Sequence, residues 1–315
     1  MAVTWPDEVD DILGGDLTCA AAYVTPAGGA VVSAVSPIGL RDRAAGTVGF
    51  TTSLGFGRKL ERMKREPKVA LAYHAREHGI GNSDNTRFVL VQGTAAFDAT
   101  PDQESLDRLG AQATPYLGAP RRGLFWDRWL RAYYADRVVV TVTVDRIVAW
   151  PDLDAAGTPE ILGAALPSDE PAAQQPPAKG AGPRVDVART AARAAKLPHR
   201  LLGYRQADGY PAVVPVHVAG SSADGVRLTA PAGLPQGGRR AGLLAHEYRS
   251  QLIGLESRQN TGWLEVSGTD AVYAPHTASG FKAPPNKTIL LLGNGFLARR
   301  GLAKARRSGL VDALR

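Results

Sequence analysis

Residues 49–71 read Gly-Phe-Thr-Thr-Ser-Leu-Gly-Phe-Gly-Arg-Lys-Leu-Glu-Arg-Met-Lys-Arg-Glu-Pro-Lys-Val-Ala-Leu. A strand delivers Thr51, Thr52 and Ser53, and a glycine-rich turn follows. Arg58 and Lys59 then open a short helix that Pro67 stops. Hydroxyls, free amides at a helix N-terminus and two cations together suit a phosphate. The same residues equally suit a charged helix with an ordinary start, and the segment alone leaves both open. Strand alternation puts Thr51 and Ser53 on one face and Thr52 on the other. All three can meet one ligand only if the strand ends at Thr52.

A second candidate is His74-Ala-Arg-Glu-His78, whose histidines have metal-like spacing. It sits at a strand end beside Gly79 with no third ligand in view, so a solvated turn is expected and no metal. Tyr73 and His74 read as core-edge residues. No G-x-S-x-G elbow, H-E-x-x-H, Walker loop or Rossmann fingerprint occurs. Cys19 is the single cysteine, which excludes an intrachain disulfide and a cysteine metal cluster.

These residues need a β scaffold. Strands are expected over 18–24, 30–36, 46–52, 68–74, 87–97 and 137–150, with short helices over 57–66, 102–110 and 123–134. Six strands with few helices suggest a small closed barrel. Residues 197–275 repeat this order. Strands are expected over 201–206, 212–219, 225–230, 251–256 and 262–273, and a helix over 239–248. Val91-Gln-Gly-Thr-Ala matches Val266-Ser-Gly-Thr-Asp, and Phe50-Thr51 matches Leu228-Thr229. The fold class is therefore mainly β with short helices (α+β), as two tandem split barrels. Residues 1–153 form the first and 186–315 a degenerate second ending in a basic helix. The Pro/Ala-rich stretch 154–185 reads as a flexible linker of roughly 30 Å.

The chain has 315 residues, of which 44% are hydrophobic and 21% charged, the profile of an ordinary globular protein. The net charge of +7 is uneven: residues 184–315 carry 19 Lys/Arg against 8 Asp/Glu. A basic half attracts anions, whether a phosphorylated cofactor, a nucleic acid or a membrane surface. No apolar run reaches membrane-helix length and no signal peptide is visible, so a cytoplasmic location is expected. The run Arg299, Arg300, Lys304, Arg306 and Arg307 lacks interleaved aromatics, so no nucleic-acid partner is expected, and no membrane partner either.

Strand-Thr-Thr-Ser, turn, Arg-Lys, helix, Glu-Pro-x-Val-Ala-Leu, then Val-Gln-Gly-Thr-Ala resembles the pyridoxamine 5′-phosphate oxidase-like split-barrel flavoproteins. The strand 136–150 resembles their closing strand. The likeness covers residues 16–152 well and 197–275 weakly. It implies FMN, or alternatively the deazaflavin coenzyme F-420, bound across a barrel. Thr51, Thr52 and Ser53 would lie at the ribityl phosphate end, with Arg58 and Lys59 on the phosphate. Val35 and Ser36 would lie along the ring, and Gln92 at its polar edge. The chain ends Leu-Val-Asp-Ala-Leu-Arg, without the oxidase's Arg-Leu signature, so pyridoxal phosphate synthesis is not expected.

The resemblance implies a flavin- or deazaflavin-dependent oxidoreductase moving hydride to or from a small organic substrate, with no catalytic residue named. The alternative is a non-catalytic flavin- or haem-binding split barrel. Family members pair two barrels, so the halves are expected to form an internal pseudo-dimer or to pair with another chain as a homodimer.

Overall fold

The computed structural model describes residues 2–81, 84–100 and 102–314. The first half contains β1 (Cys19–Val24), β2 (Ala30–Val35), β3 (Arg41–Asp42), β4 (Thr47–Ser53), β5 (Lys68–Tyr73), β6 (Phe88–Phe97), β7 (Arg137–Trp150) and β8 (Glu160–Gly163). The second contains β9 (His199–Arg205), β10 (Pro211–Pro215), β11 (His217–Ser221), β12 (Val226–Thr229), β13 (Gly237–Glu247), β14 (Glu256–Ser267) and β15 (Asp270–Lys282). The helices are α1 (Asp7–Gly15), α2 (Gly57–Arg65), α3 (Gln103–Leu117), α4 (Leu124–Trp129), α5 (Arg131–Ala135), α6 (Val187–Ala195), α7 (Lys287–Arg307) and α8 (Leu310–Leu314). None among the described residues is long and apolar enough to cross a membrane.

The first sheet runs β2-β1-β5-β6-β7-β4-β3, with β8 on the far side of β7. A Ser36–Thr51 bridge, with Thr51 N–H donating to Ser36 O at 3.1 Å, curls the end of β2 onto β4 and closes the barrel. The second sheet runs β10-β9-β13-β14-β15-β12-β11, the same order with every strand number raised by eight. The ladder shifts register between Gln92 and Gly93 in β6, and between Thr261 and Gly262 in β14. A Cβ on Gly93 would lie 2.1 Å from Thr143 O, and one on Gly262 2.2 Å from Ala274 O. Both bulges require glycine because the neighbouring strand's carbonyl fills the space. Val69 pairs with Gly93, and Ala241 with Gly262, so His74 and His246 are equivalent positions.

Alternation places Val48, Phe50, Val138, Val140 and Val142 inside the first barrel. The opposite faces of β1 and β5 carry Ala20, Ala22, Ala70 and Ala72, which pack on Leu201, Val213 and Leu244 of the second sheet. Small side chains on one side let the two sheets approach closely.

Several expectations change. The helix expected at 239–248 is strand instead: residues 239–247 lie in β13. Pairing with β9 on one side and β14 on the other buries them, and that outweighs the helical tendency of Ala-Gly-Leu-Leu-Ala-His-Glu. The strand expected at 251–256 is a 3₁₀ turn at Ser250–Leu252. The single strand at 262–273 is the β14–β15 hairpin, turning at Gly268 with φ +59. Phe50 and Leu228 do occupy matching positions, opposite Val140 and Ala271. The Val91–Val266 match fails: with the bulge glycines aligned, Val91 corresponds to Asn260. Helices α1 and α6 were not expected, although Val9, Ile12 and Leu13 have helical spacing and are buried.

Residues 154–185 form a strap rather than a free coil. β8 pairs with β7, and Gln174 N–H donates to Gly238 O (2.7 Å). The Gln174 side chain donates to Gly28 O (3.0 Å) and accepts from Arg240 N–H (3.1 Å). The buried Arg239 donates to Pro171 O (3.1 Å). The basic helix α7 returns to the first barrel, where Leu302 and Ala305 join its core and Gly301 meets Gly55.

Gly93→Ala and Gly262→Ala are each expected to cost about 2 kcal/mol or more, since a methyl there overlaps a carbonyl oxygen. Urea unfolding of the two single variants checks this, and a neutral effect at either site would contradict the bulge geometry.

Candidate functional site

β4 ends at Ser53, whose hydroxyl accepts from Gly55 N–H (3.1 Å) and caps the 3₁₀ turn Leu54–Phe56. Helix α2 begins at Gly57 with no side-chain cap on its first turn. Thr51, Thr52 and Ser53 are all buried. Thr52 pairs with Val138 and shares the interior face with Phe50, while Thr51 and Ser53 face outward. Val35 ends β2, and Ser36 sits across from Thr51, its hydroxyl donating to Leu17 O (3.2 Å). These five residues therefore converge at one end of the first barrel.

The two cations separate. Arg58 is exposed and makes no ion pair among the described residues. Lys59 turns inward, its stem partly at the surface and its ammonium 5.9 Å from the Phe50 ring centre. Burial, slightly countered by the nearby Cys19 thiol, pulls the Lys59 pKa down to about 8. The turn is also shielded: Leu302 and Gly301 of α7 lie against Gly55, and Leu310 against Gly57.

Gln92 does not join this cluster. It faces Arg146 on β7, whereas Thr51 faces Val139, seven residues or about 23 Å away along the strand. Its carboxamide is fully buried and fully engaged. Arg146 Nε donates to Gln92 Oε1 (2.5 Å), and Gln92 Nε2 donates to Gln206 Oε1 (2.7 Å) and Pro211 O (2.6 Å). Arg146 also pairs with Asp208 (2.6 Å), and Tyr210 Oη donates to Asp145 (2.6 Å). Burial and the Asp145 carboxylate push the Tyr210 pKa up to about 12. Gln92 thus belongs to a polar clamp between the sheets.

The second charged cluster was only half visible in the sequence. His74 is buried, not in a solvated turn, and its Nε2 lies 2.6 Å from Nε2 of His246, the equivalent residue of the second sheet. His74 Nδ1 is 3.0 Å from Ala72 O. A carbonyl only accepts, so His74 carries its proton on Nδ1 and presents a bare Nε2. His246 Nε2–H must therefore donate to it, which leaves His246 Nδ1 as a buried lone pair without a partner. His199 packs against both rings and donates from Nε2 to Glu77 (3.0 Å). Burial alone would raise Glu77, but that hydrogen bond and the His199 charge bring it down to about 2. Beside them the buried Asp16–Arg76 pair closes at 2.5 Å. His78 lies against Tyr248 rather than beside His74. Sequence spacing could not find His199 and His246; the repeat aligned on its bulge glycines would have placed His246 opposite His74.

An open cleft of about 370 Å³ on the second sheet is lined by Trp263, Glu265, Asp270 and residues 181–183. It contains none of the residues selected from the sequence.

No family model and no curated protein matches the chain. Solved structures similar to it are of pyridoxamine 5′-phosphate oxidase-like and general stress protein 26 proteins. Conserved hypothetical protein Rv2991 from Mycobacterium tuberculosis is 21% identical, with 53% of this chain and 95% of that chain covered at a TM-score of 0.36. General Stress Protein 26 from Bacillus anthracis str. Sterne is 13% identical, covering 50% and 97% at 0.33. A pyridoxamine 5′-phosphate oxidase-related, FMN binding protein from Nostoc punctiforme PCC 73102 is 9% identical, covering 43% and 74% at 0.29.

Burial, then the His199 charge, lowers His74 to about 3, and burial with the neighbouring imidazoles lowers His246 in the same direction. Below the ordinary histidine pKa of about 6.5 the unfolded chain binds protons that these folded histidines refuse. Their contribution to stability is therefore lost as pH falls from there towards 3. Asp16, raised by burial to about 8, contributes the opposite slope. His74→Leu with His246→Leu leaves Asp16 in place. It should reduce the pH dependence of unfolding free energy by ~1.4 kcal/mol per pH unit for each histidine between about pH 6 and pH 5. Urea titrations across that range measure the difference between the two proteins.

Proposed function

We propose that this chain is a flavin-binding split-barrel protein acting as an FMN- or F-420-dependent oxidoreductase, with the cofactor's phosphate held at the first barrel. The observation that carries this is Arg58, an exposed guanidinium with no ion pair among the described residues, placed at the start of α2 beside the Ser53–Gly57 turn, with no side-chain cap. A cation at a helix N-terminus suits a phosphate, although the Gly57 N–H itself already donates to Leu54 O. The phosphate end fits the residues present. Lys59, turned towards Phe50, and Gln92, held by Arg146, are not counted among the contacts.

When bound, a flavin or deazaflavin supplies the hydride chemistry. The protein's part is to bind and orient. Arg58 and the first turn of α2 would hold the phosphate, with the outward Thr51 towards the ribityl chain. Ser36 would border the ring, whereas Val35 packs into the barrel core. Helices α7 and α8, packed over Gly55 and Gly57, restrict water at the turn. The two sheets packed within one chain serve as the barrel pair, an internal pseudo-dimer rather than a homodimer. The second barrel has only seven residues between β12 and β13, no counterpart of α2, and no phosphate site of this type.

The non-catalytic reading, a flavin or haem binder, is favoured by the engagement of Gln92 in the clamp between the sheets, which takes the proposed ring-edge contact out of use. Anaerobic reduction by NAD(P)H or reduced F-420 separates the two. Bound flavin that neither reductant bleaches supports the binder.

Arg58→Ala should weaken FMN and F-420 binding by about 10- to 100-fold, the loss of one charge-assisted contact, and leave riboflavin binding unchanged. Arg65→Ala, exposed at the other end of α2, is the control. Arg239 is unsuitable as one, because it is buried and holds the strap. Isothermal titration of apo-protein measures all three ligands, and unchanged FMN and F-420 affinity in Arg58→Ala removes the phosphate assignment.

Lys59→Met should leave those affinities unchanged and raise stability at pH 7 by about 1–3 kcal/mol, since it relieves a desolvated ammonium that has no acid partner among the described residues. Thermal unfolding beside the same titration checks both halves.

A further inference from the structure

Eleven large apolar side chains are exposed among the described residues, and six lie on α4 and α7: Leu124, Phe125, Ile289, Leu292, Phe296 and Leu297. Leu124 is 96% exposed, Phe125 57% and Phe296 54%. The two helices form one surface. Trp129 Nε1 donates to Leu292 O (3.1 Å), Phe125 stacks on Trp129 at 6.1 Å, and Arg299 donates to Arg128 O (2.7 Å). Exposed apolar groups grouped in this way mark an interaction site.

The charge of the same surface says what it meets. Residues 119–137 and 287–314 carry eleven Lys/Arg against three Asp, a net +8, whereas the whole chain is +7. The rest of the protein is therefore close to neutral. On α7 one stripe runs from Ile289 and Phe296 to Arg300, Lys304 and Arg307, apolar first and cationic afterwards. Cations sit over aromatic rings across the face: Arg121 over Trp126 (5.2 Å), Arg299 over Trp129 (4.4 Å) and Arg137 over Tyr133 (4.3 Å). A second copy of the chain would set +8 against +8. An anionic bilayer surface accepts both features, with Leu and Phe entering the acyl boundary and Arg, Lys, Trp and Tyr at the headgroups.

We propose that the α4–α7 face docks the protein peripherally on an anionic lipid surface. This departs from the sequence-based expectation of no membrane partner, which considered spanning segments and the basic run before the fold brought α4 beside it. It does not depend on the flavin reading.

Vesicle co-sedimentation of the full chain tests it, comparing phosphatidylcholine alone with vesicles of roughly one-third phosphatidylglycerol. Binding to the anionic vesicles, weakened on the order of 10-fold or more between about 0.05 and 0.5 M salt, is expected. Arg300→Gln/Lys304→Gln/Arg307→Gln should reduce that binding on the order of 10- to 100-fold. Leu124→Asp/Phe296→Asp should abolish it. All five positions are exposed, and far-UV circular dichroism confirms that both variants remain folded. Equal partition to both vesicle types, or to neither, overturns the proposal. So does anionic binding indifferent to Leu124→Asp/Phe296→Asp, which would make the face a general polyanion binder such as a nucleic-acid surface. Sedimentation velocity showing a stable dimer that the same variant dissociates also overturns it.

Discussion

The packing of one sheet on the other is the constraint from which the other features follow. β1 and β5 present alanine to the second sheet, and Leu201, Val213 and Leu244 fill the space that alanine leaves. That close approach buries His74 against its own structural counterpart His246, where two neutral imidazoles share one hydrogen bond. Two charged rings at this distance would repel, and burial keeps both imidazoles neutral. The Gln92–Arg146–Asp208 clamp holds another part of the interface, where the β9–β10 turn meets β6 and β7. Together they fix the position of one barrel against the other with hydrogen bonds that only one alignment satisfies.

The same packing accounts for the asymmetry between the copies. The first barrel keeps a helix after β4 and a closing Ser36–Thr51 bridge. In the second, β12 passes almost directly to β13, and Arg239 and Arg240 become strand residues that tie down the strap at residues 171–174. A buried arginine that donates to Pro171 and Gln236 carbonyls is a structural fastening. The chain's last helices then cross back and cover the turn where α2 begins. Gly55 and Gly301 allow that approach, since a methyl on either would press on the other's backbone.

Charge follows the chain's path rather than its halves. The positive excess of residues 184–315 resides largely on α7, and α7 lies on the first barrel beside the arginines of residues 121–137. Basic segments distant in sequence thus merge into one surface. The apolar side chains exposed there remain uncovered because the Trp129–Leu292 and Arg299–Arg128 contacts use the inner sides of α4 and α7.

Local pattern alone determined much of this protein. Apolar runs bounded by turn residues marked all six long strands of the first barrel to within a residue or two, and Pro67 ended α2 where expected. The hydroxyl-rich end of β4 with Val35 and Ser36 was legible because the residues that converge there lie near one another in the chain or across a single bridge. Tertiary structure decided the rest. Arg239–Glu247 became a strand because partners on both sides satisfied its backbone. Lys59 turned towards Phe50 because α2 lies flat on the barrel, and register put Gln92 opposite Arg146, seven residues along β7 from the partner of Thr51. His246 met His74 only when two sheets, separated by about 170 residues of sequence, packed face to face. A periodic pattern records which face of an element is buried, but it carries no record of what the buried face will touch.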